Sequence, residues 1–110
     1  MKALFTSQGP EPSSDLDSHF GRAKTFLVYD FCTNEWEAHP NEALDAPEGA
    51  GIRAASQALQ LGVQFVVTGH CGPKASEALK RSHIRVLDGF SGPLMPILDQ
   101  VRRIVLDDRT

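Results

Sequence analysis

The stretch Val63-Gln64-Phe65-Val66-Val67-Thr68-Gly69-His70-Cys71-Gly72-Pro73-Lys74-Ala75-Ser76-Glu77-Ala78 decides how this chain folds. It begins with a run of Val and Phe, the composition of a strand buried on both faces. The run breaks at Gly69 and Gly72. Pro73 stands where a helix would start, a position that tolerates proline because that N–H would have no intrahelical partner. Ala75, Ala78 and Leu79 fall at i, i+3 and i+4, one face of a helix. The reading is strand, tight glycine turn, helix, with His70 and Cys71, both able to act as nucleophile or metal ligand, inside the turn.

The same reasoning extends outward. Lys2 to Thr6 is a short apolar strand, and Gln8 to Ser18 is a polar, proline-containing loop expected to be mobile. Thr25 to Phe31 is rich in aromatic and β-branched residues and reads as strand two. Thr33-Asn34 turns the chain into Glu35–His39, an alternating, half-exposed strand with Trp36 and Ala38 on one face. Pro40 to Ala50 is a second loop. Gly51 to Leu61 carries Ile52, Ala55 and Leu59 at helical spacing and ends at Gly62, a suitable C′ residue. A second helix runs from Pro73 to about Ser82, Ile84 to Leu87 is strand five, and Pro93 to Leu106 has the fullest apolar stripe of any helix. The order β-β-β-α-β-α-β-α predicts an α/β fold: a five-stranded mixed sheet, strand two antiparallel to the rest, with helices on both faces.

Length and composition narrow the function. The chain has 110 residues, one domain's worth over residues 1–110, with 41% hydrophobic and 23% charged residues. A net charge of −3 gives no case for nucleic acid or an anionic membrane. No apolar run approaches the ~20 residues of a membrane helix, and Met1 to Phe5 lacks the apolar core of a signal peptide. Two cysteines are too few for a disulfide scaffold, so the expected setting is a reducing cytoplasm.

In an open α/β sheet, ligands bind beyond the carboxyl ends of the parallel strands. The predicted topology puts His19, His39, His70 and Cys71 at that edge with the N-termini of all three helices, and puts Cys32 and His83 at the other. Helix N-termini favour an anion.

His19-Phe20-Gly21-Arg22-Ala23 with Phe26 to Asp30, then Gly49-Ala50-Gly51-Ile52, Gly62-Val63 and Thr68-Gly69-His70-Cys71-Gly72-Pro73-Lys74-Ala75, resemble in order the motifs of the dinitrogenase iron–molybdenum cofactor biosynthesis family. The resemblance covers nearly the whole chain. It implies a ribonuclease-H-like fold and a role in binding or carrying an iron–sulfur or iron–molybdenum-type cluster or its precursor. It also implies metal-cluster donor or acceptor proteins as partners.

Candidate site residues follow. Cys71 at a helix N-terminus is expected to have a lowered pKa, and Cys with His suits iron or an iron–sulfur cluster; the alternative is that Gly69 and Gly72 only shape the turn and Cys71 fills a small space. His19, beside the first loop and Arg22, is a candidate ligand with a cationic neighbour for an anionic cluster; alternatively Phe20 anchors the loop and Arg22 pairs with an acid. The expected set is therefore His19, His70 and Cys71 as metal ligands, with Arg22, Gly69 and Gly72 around them. Gly49-Ala50-Gly51 is a weak anion-binding signal, equally a close-packed helix start. His39 reads as a solvated strand end, and Trp36 with Phe26 as core.

The leading reading is a cytoplasmic, non-catalytic cluster carrier, monomeric or homodimeric, with no nucleic-acid or membrane partner. A nuclease would need several carboxylates gathered on the sheet for two metal ions, and strands one and four supply none. The alternative is a regulatory or scaffold domain that binds a small anion or protein partner without a metal cluster.

Overall fold

The structure is a computed structural model, and it describes residues 1–108. Strands β1 (Lys2–Ser7), β2 (Thr25–Asp30), β3 (Glu35–Pro40), β4 (Phe65–Val67) and β5 (Arg85–Leu87) form one sheet in the order β3-β2-β1-β4-β5. β2 pairs antiparallel with β1 (Phe5 opposite Leu27) and with β3 (Tyr29 opposite Trp36). β4 runs parallel to β1 (Leu4 opposite Val66) and to β5 (Val66 opposite Val86). The carboxyl ends of β1, β3, β4 and β5 therefore share one edge of the sheet.

Side-chain alternation along the strands divides the core in two. Leu4, Phe26, Val28 and Val66 face α1 (Ala50–Gln60) and α2 (Pro73–Arg81), while Ala3, Phe5, Leu27, Tyr29, Phe65 and Val67 face α3 (Leu94–Asp108). Phe26 and Trp36, read from the sequence as one stripe, thus lie on opposite faces: Phe26 stacks on Phe20, and Trp36 packs on Phe5 and Tyr29. Ala38 on the edge strand is exposed.

Of the predicted α3 stripe, Leu94, Ile97, Leu98, Val101 and Val105 are buried and Ile104 is half-buried. α1 does not follow its prediction. Ile52 and Leu59 are 50% and 54% exposed, and the buried face is Ala50, Ala54, Ala55 and Ala58. The cause is close approach: a Cβ on Gly51 would lie 3.0 Å from the Ala75 Cβ on α2. Helices this close admit only small residues between them, so the large apolar side chains turn outward.

The α2–β5 connection passes through His83 at φ 60°, in the left-handed region. That conformation costs a non-glycine residue about 1 kcal/mol. His83→Gly should therefore raise the thermal midpoint by a few degrees; an unchanged or lower midpoint in a melt would show that the imidazole stabilises this turn by other means.

Candidate functional site

The site is built on a backbone clasp. The Gln8–Ser18 loop, expected to be mobile, is fastened at several points. Gln8 N–H donates to Asp15 C=O (3.0 Å), Asp17 N–H to Thr6 C=O (2.9 Å) and Leu16 N–H to Gly92 C=O (2.9 Å). Leu16 is buried in the α3-side core, and the Thr6 hydroxyl donates to Asp17 C=O (2.7 Å). Composition marked the segment as polar but could not show that its backbone groups find partners in neighbouring loops. The chain then runs beside the β4–α2 turn. His70 N–H donates to Ser18 C=O (2.7 Å), and Phe20 N–H donates to His70 C=O (3.0 Å). This short parallel bridge sets the His19 and His70 rings edge to face, centroids 5.9 Å apart.

After the clasp, a 3-10 turn (Phe20–Arg22) crosses the N-terminus of α1. Gly21 is required there, since a Cβ would meet Gly51 N at 3.0 Å. Buried Asn41 donates to Gly21 C=O (3.2 Å) and Ala23 C=O (2.9 Å), and Arg22 Nη1 donates to Leu44 C=O (2.9 Å) and Ala46 C=O (2.8 Å). Among the described residues Arg22 pairs with no acid; it braces the 41–46 loop by one nitrogen while it lines the groove beside it.

That groove, about 480 Å³, lies between the 3-10 turn and the N-termini of α1 and α2. Its walls include His19, Arg22, His70, Gly72, Lys74 and the Gly49–Ile52 helix start. Neither α1 nor α2 has a side-chain cap or an acidic residue in its first turn. Residues of both helix starts line the groove, so the positive ends of two dipoles lie beside it, though Pro73 at the start of α2 contributes no N–H. The Gly49-Ala50-Gly51 segment, a weak signal in the sequence, forms one wall.

Two predicted site residues are placed elsewhere. Cys71 points into the α1/α2 core, 7% exposed, and is absent from the groove walls. Burial pushes its thiol pKa up, against the lowered value expected for a helix N-terminus; nearby Asp88 pushes the same way, and a hydrogen bond from Ser76 opposes both. Gly69 does not face the groove either. Its missing side chain makes room for the clasp, because a Cβ would lie 2.8 Å from Ser18 O and 3.1 Å from Phe90 O. Among the described residues no group of three or more His, Cys, Asp or Glu side chains is placed to hold a metal ion, so His19, His70 and Cys71 do not form a three-ligand set. His39 sits at the edge strand, its Nε2 2.7 Å from Glu37 Oε1, beside a separate small pocket under α1. Cys32 is exposed in the β2–β3 turn at the far edge.

The cysteines should differ sharply in reactivity. A thiol reagent at neutral pH should modify Cys32 quickly and Cys71 only on unfolding. Because the folded protein holds Cys71 protonated above the ordinary thiol pKa of about 8.5, its contribution to stability is complete below that pH and declines as pH rises through it. Denaturant midpoints should fall more steeply between pH 8 and 10 in the parent than in Cys71→Ala; equal slopes would remove the burial argument.

The family model described as dinitrogenase iron-molybdenum cofactor matches residues 1–104. An uncharacterised protein from Methanocaldococcus jannaschii is 30% identical over 80 residues, 70% of this chain and 68% of that protein. The apo form of the orange protein from Desulfovibrio gigas superposes with a TM-score of 0.89 at 30% identity, over 93% of this chain and 87% of that one. A putative NifB protein from Thermotoga, assigned to the DUF35 family, superposes with a TM-score of 0.80 at 25% identity, over 93% and 87% of the two chains.

Proposed function

The chain belongs to the dinitrogenase iron-molybdenum cofactor family, and we propose that it binds and carries an anionic metal–sulfur cluster, of iron–sulfur or iron–molybdenum type, or the precursor of one. The observation that carries this reading is the pair of uncapped helix N-termini opening on one groove with Arg22 and Lys74 in its walls. Such a surface binds negative charge. A resident cluster held by protein thiolates does not fit, because the nearest thiol, Cys71, is buried outside the groove. A cluster that arrives with its own sulfide ligands fits: it needs charge, N–H donors and at most the imidazoles of His19 and His70. We therefore treat the cluster as cargo.

The role is binding, without catalysis. Among the described residues no carboxylate lines the groove, which supports this over metal-assisted nuclease chemistry. The ribonuclease-H-like description of the fold is part of the same proposal, supported by the strand order with β2 alone reversed. So are cluster donor and acceptor proteins as partners and a cytoplasmic setting, supported by family membership. No described helix is long and apolar enough to cross a membrane.

Gly72 provides a test that separates binding from folding. It is the N-cap of α2, with extended backbone (φ −62°, ψ 160°) and open space where a Cβ would go. Gly72→Asp places a carboxylate over the free N–H groups, which should stabilise the fold by a few tenths of a kcal/mol. The same carboxylate repels an anionic cargo. After anaerobic reconstitution with iron and sulfide, the parent and Cys71→Ala should retain similar metal and sulfide, and Gly72→Asp much less despite an equal or higher melting temperature. Full loading of Gly72→Asp, or none in the parent, sinks the proposal.

A further inference from the structure

The close approach of α2 turns Ile52 and Leu59 out of the helix interface and leaves both on the surface, 50% and 54% exposed. We propose that the outer groove between α1 and α2 is a docking site for an acidic, amphipathic helix of a partner protein, and that docking loosens an anion seated in the neighbouring groove at the helix N-termini. The docking half stands by itself. The loosening half deepens the anion-carrier reading and rests on it.

The apolar part is a stripe. Ile52 and Leu59 are seven residues apart, so they lie on one side of α1, two turns and about 10.5 Å from each other. Ile52 opens on a second groove of about 240 Å³, whose other walls, Lys74, Glu77, Ala78 and Arg81, come from α2. Those four fall at i, i+3, i+4 and i+7, one face of that helix. Ala78 is packed against the core beneath. Both walls are helices, so the surface offers side chains and no unpaired strand edge, which suits a helix laid in the groove. Apolar residues at i and i+7 of that helix match the spacing of Ile52 and Leu59.

Charge selects the occupant. Residues 50–81 carry Arg53, Lys74, Lys80 and Arg81 against Glu77, a net +3 in a chain of −3, so the remainder carries −6. An acidic partner is drawn to this face and repelled by the rest of the molecule. Glu77, the one acid of the groove wall, is held by Arg81 at 2.7 Å, while among the described residues Lys74 pairs with no acid.

The two grooves are joined. Ile52 and Lys74 line both, and Lys74 is one of two Lys or Arg side chains in the cargo groove, the other being Arg22. A partner carboxylate that pairs with Lys74 cancels that charge and brings its own repulsion to the groove rim. Docking and anion seating thus oppose one another, and by linkage each weakens the other by the same factor. A partner that docks loosens the cargo as it arrives.

The test uses a synthetic peptide of ~18 residues, long enough to hold a helix on binding, with Leu at helical spacing among Glu and Ala, and a counterpart with lysine in place of glutamate. Titrated into the full chain without cargo, the acidic peptide should shift amide resonances along α1 and α2 from Ile52 to Leu59 and from Lys74 to Arg81. The lysine peptide should bind at least about tenfold more weakly. Ile52→Ser, Leu59→Ser and Arg81→Gln, all at exposed positions, should each weaken the acidic peptide at least about threefold with little change in melting temperature. In the parent reconstituted anaerobically with iron and sulfide, saturating acidic peptide should speed loss of iron at least about fivefold, and Leu59→Ser should load as the parent does but lose less iron to the peptide. Shifts elsewhere, equal binding of both peptides, or self-association that Ile52→Ser abolishes overturns the docking half, the last by making a second copy the occupant. Iron loss unchanged by bound peptide overturns the loosening half and leaves the carrier reading intact. A parent that holds no iron sinks the carrier reading and the loosening half together, while the peptide titration still decides docking.

Discussion

The carboxyl edge of this sheet depends on one backbone contact, the bridge between Ser18–Phe20 and His70. It forms only because residue 69 has no side chain, since a Cβ there would lie 2.8 Å from the Ser18 carbonyl. From the clasp the order propagates. Phe20 enters the core and stacks on Phe26, Gly21 lies against the first amide of Gly51, and Asn41 and Arg22 fasten the following loop to the same turn. A loop of low apolar content is thereby held against the start of two helices, which is what makes a groove of an otherwise open edge.

Those two helix starts break a local rule. A glycine N-cap costs a protein a few tenths of a kcal/mol relative to a Ser, Thr, Asp or Asn cap. Here the caps are Gly49, in the left-handed region at φ 70°, and Gly72. Departures from local preference cluster at functional surfaces, where an unsatisfied donor is kept for a ligand. The glycines and alanines at Gly51 and Ala75 add to the effect by drawing the two helices together, so that both dipoles act on one small volume.

Strand and helix positions were legible because the apolar spacing is regular: Leu94 to Val105 at helical period, and Phe65 to Val67 as an unbroken β run. The sharing of an edge by His19 and His70 followed from strand direction. Less legible was anything set by close backbone approach. α1 buries alanines and exposes Ile52 and Leu59 because of its distance from α2, and periodicity does not encode that distance. The Cys71 error has a simpler source. Between β4 and α2 the chain is extended, and successive side chains of an extended chain point to opposite sides. His70 is exposed and Cys71 buried, so adjacency in sequence separated the two candidate ligands that it seemed to join. The pinned Gln8–Ser18 loop escaped prediction because its anchors, Gly92 and Thr6, are remote or backbone-mediated.

Withdrawal of the thiol suits the proposed carrier role. A thiolate in the groove would bind iron directly and strongly, would compete with the sulfide ligands of a cluster, and would turn reversible seating into ligand exchange. Helix N–H groups and lysine or arginine charges act on the outside of an anion without replacing any of its ligands. Their attraction is limited to a few kcal/mol and weakens with salt, so an acceptor that offers thiolates gains the cargo by a difference in bond type. With no acid among the described groove walls and Cys71 turned into the core, the proposed cargo would be held by charge while the chain's own strongest metal ligand stays out of reach.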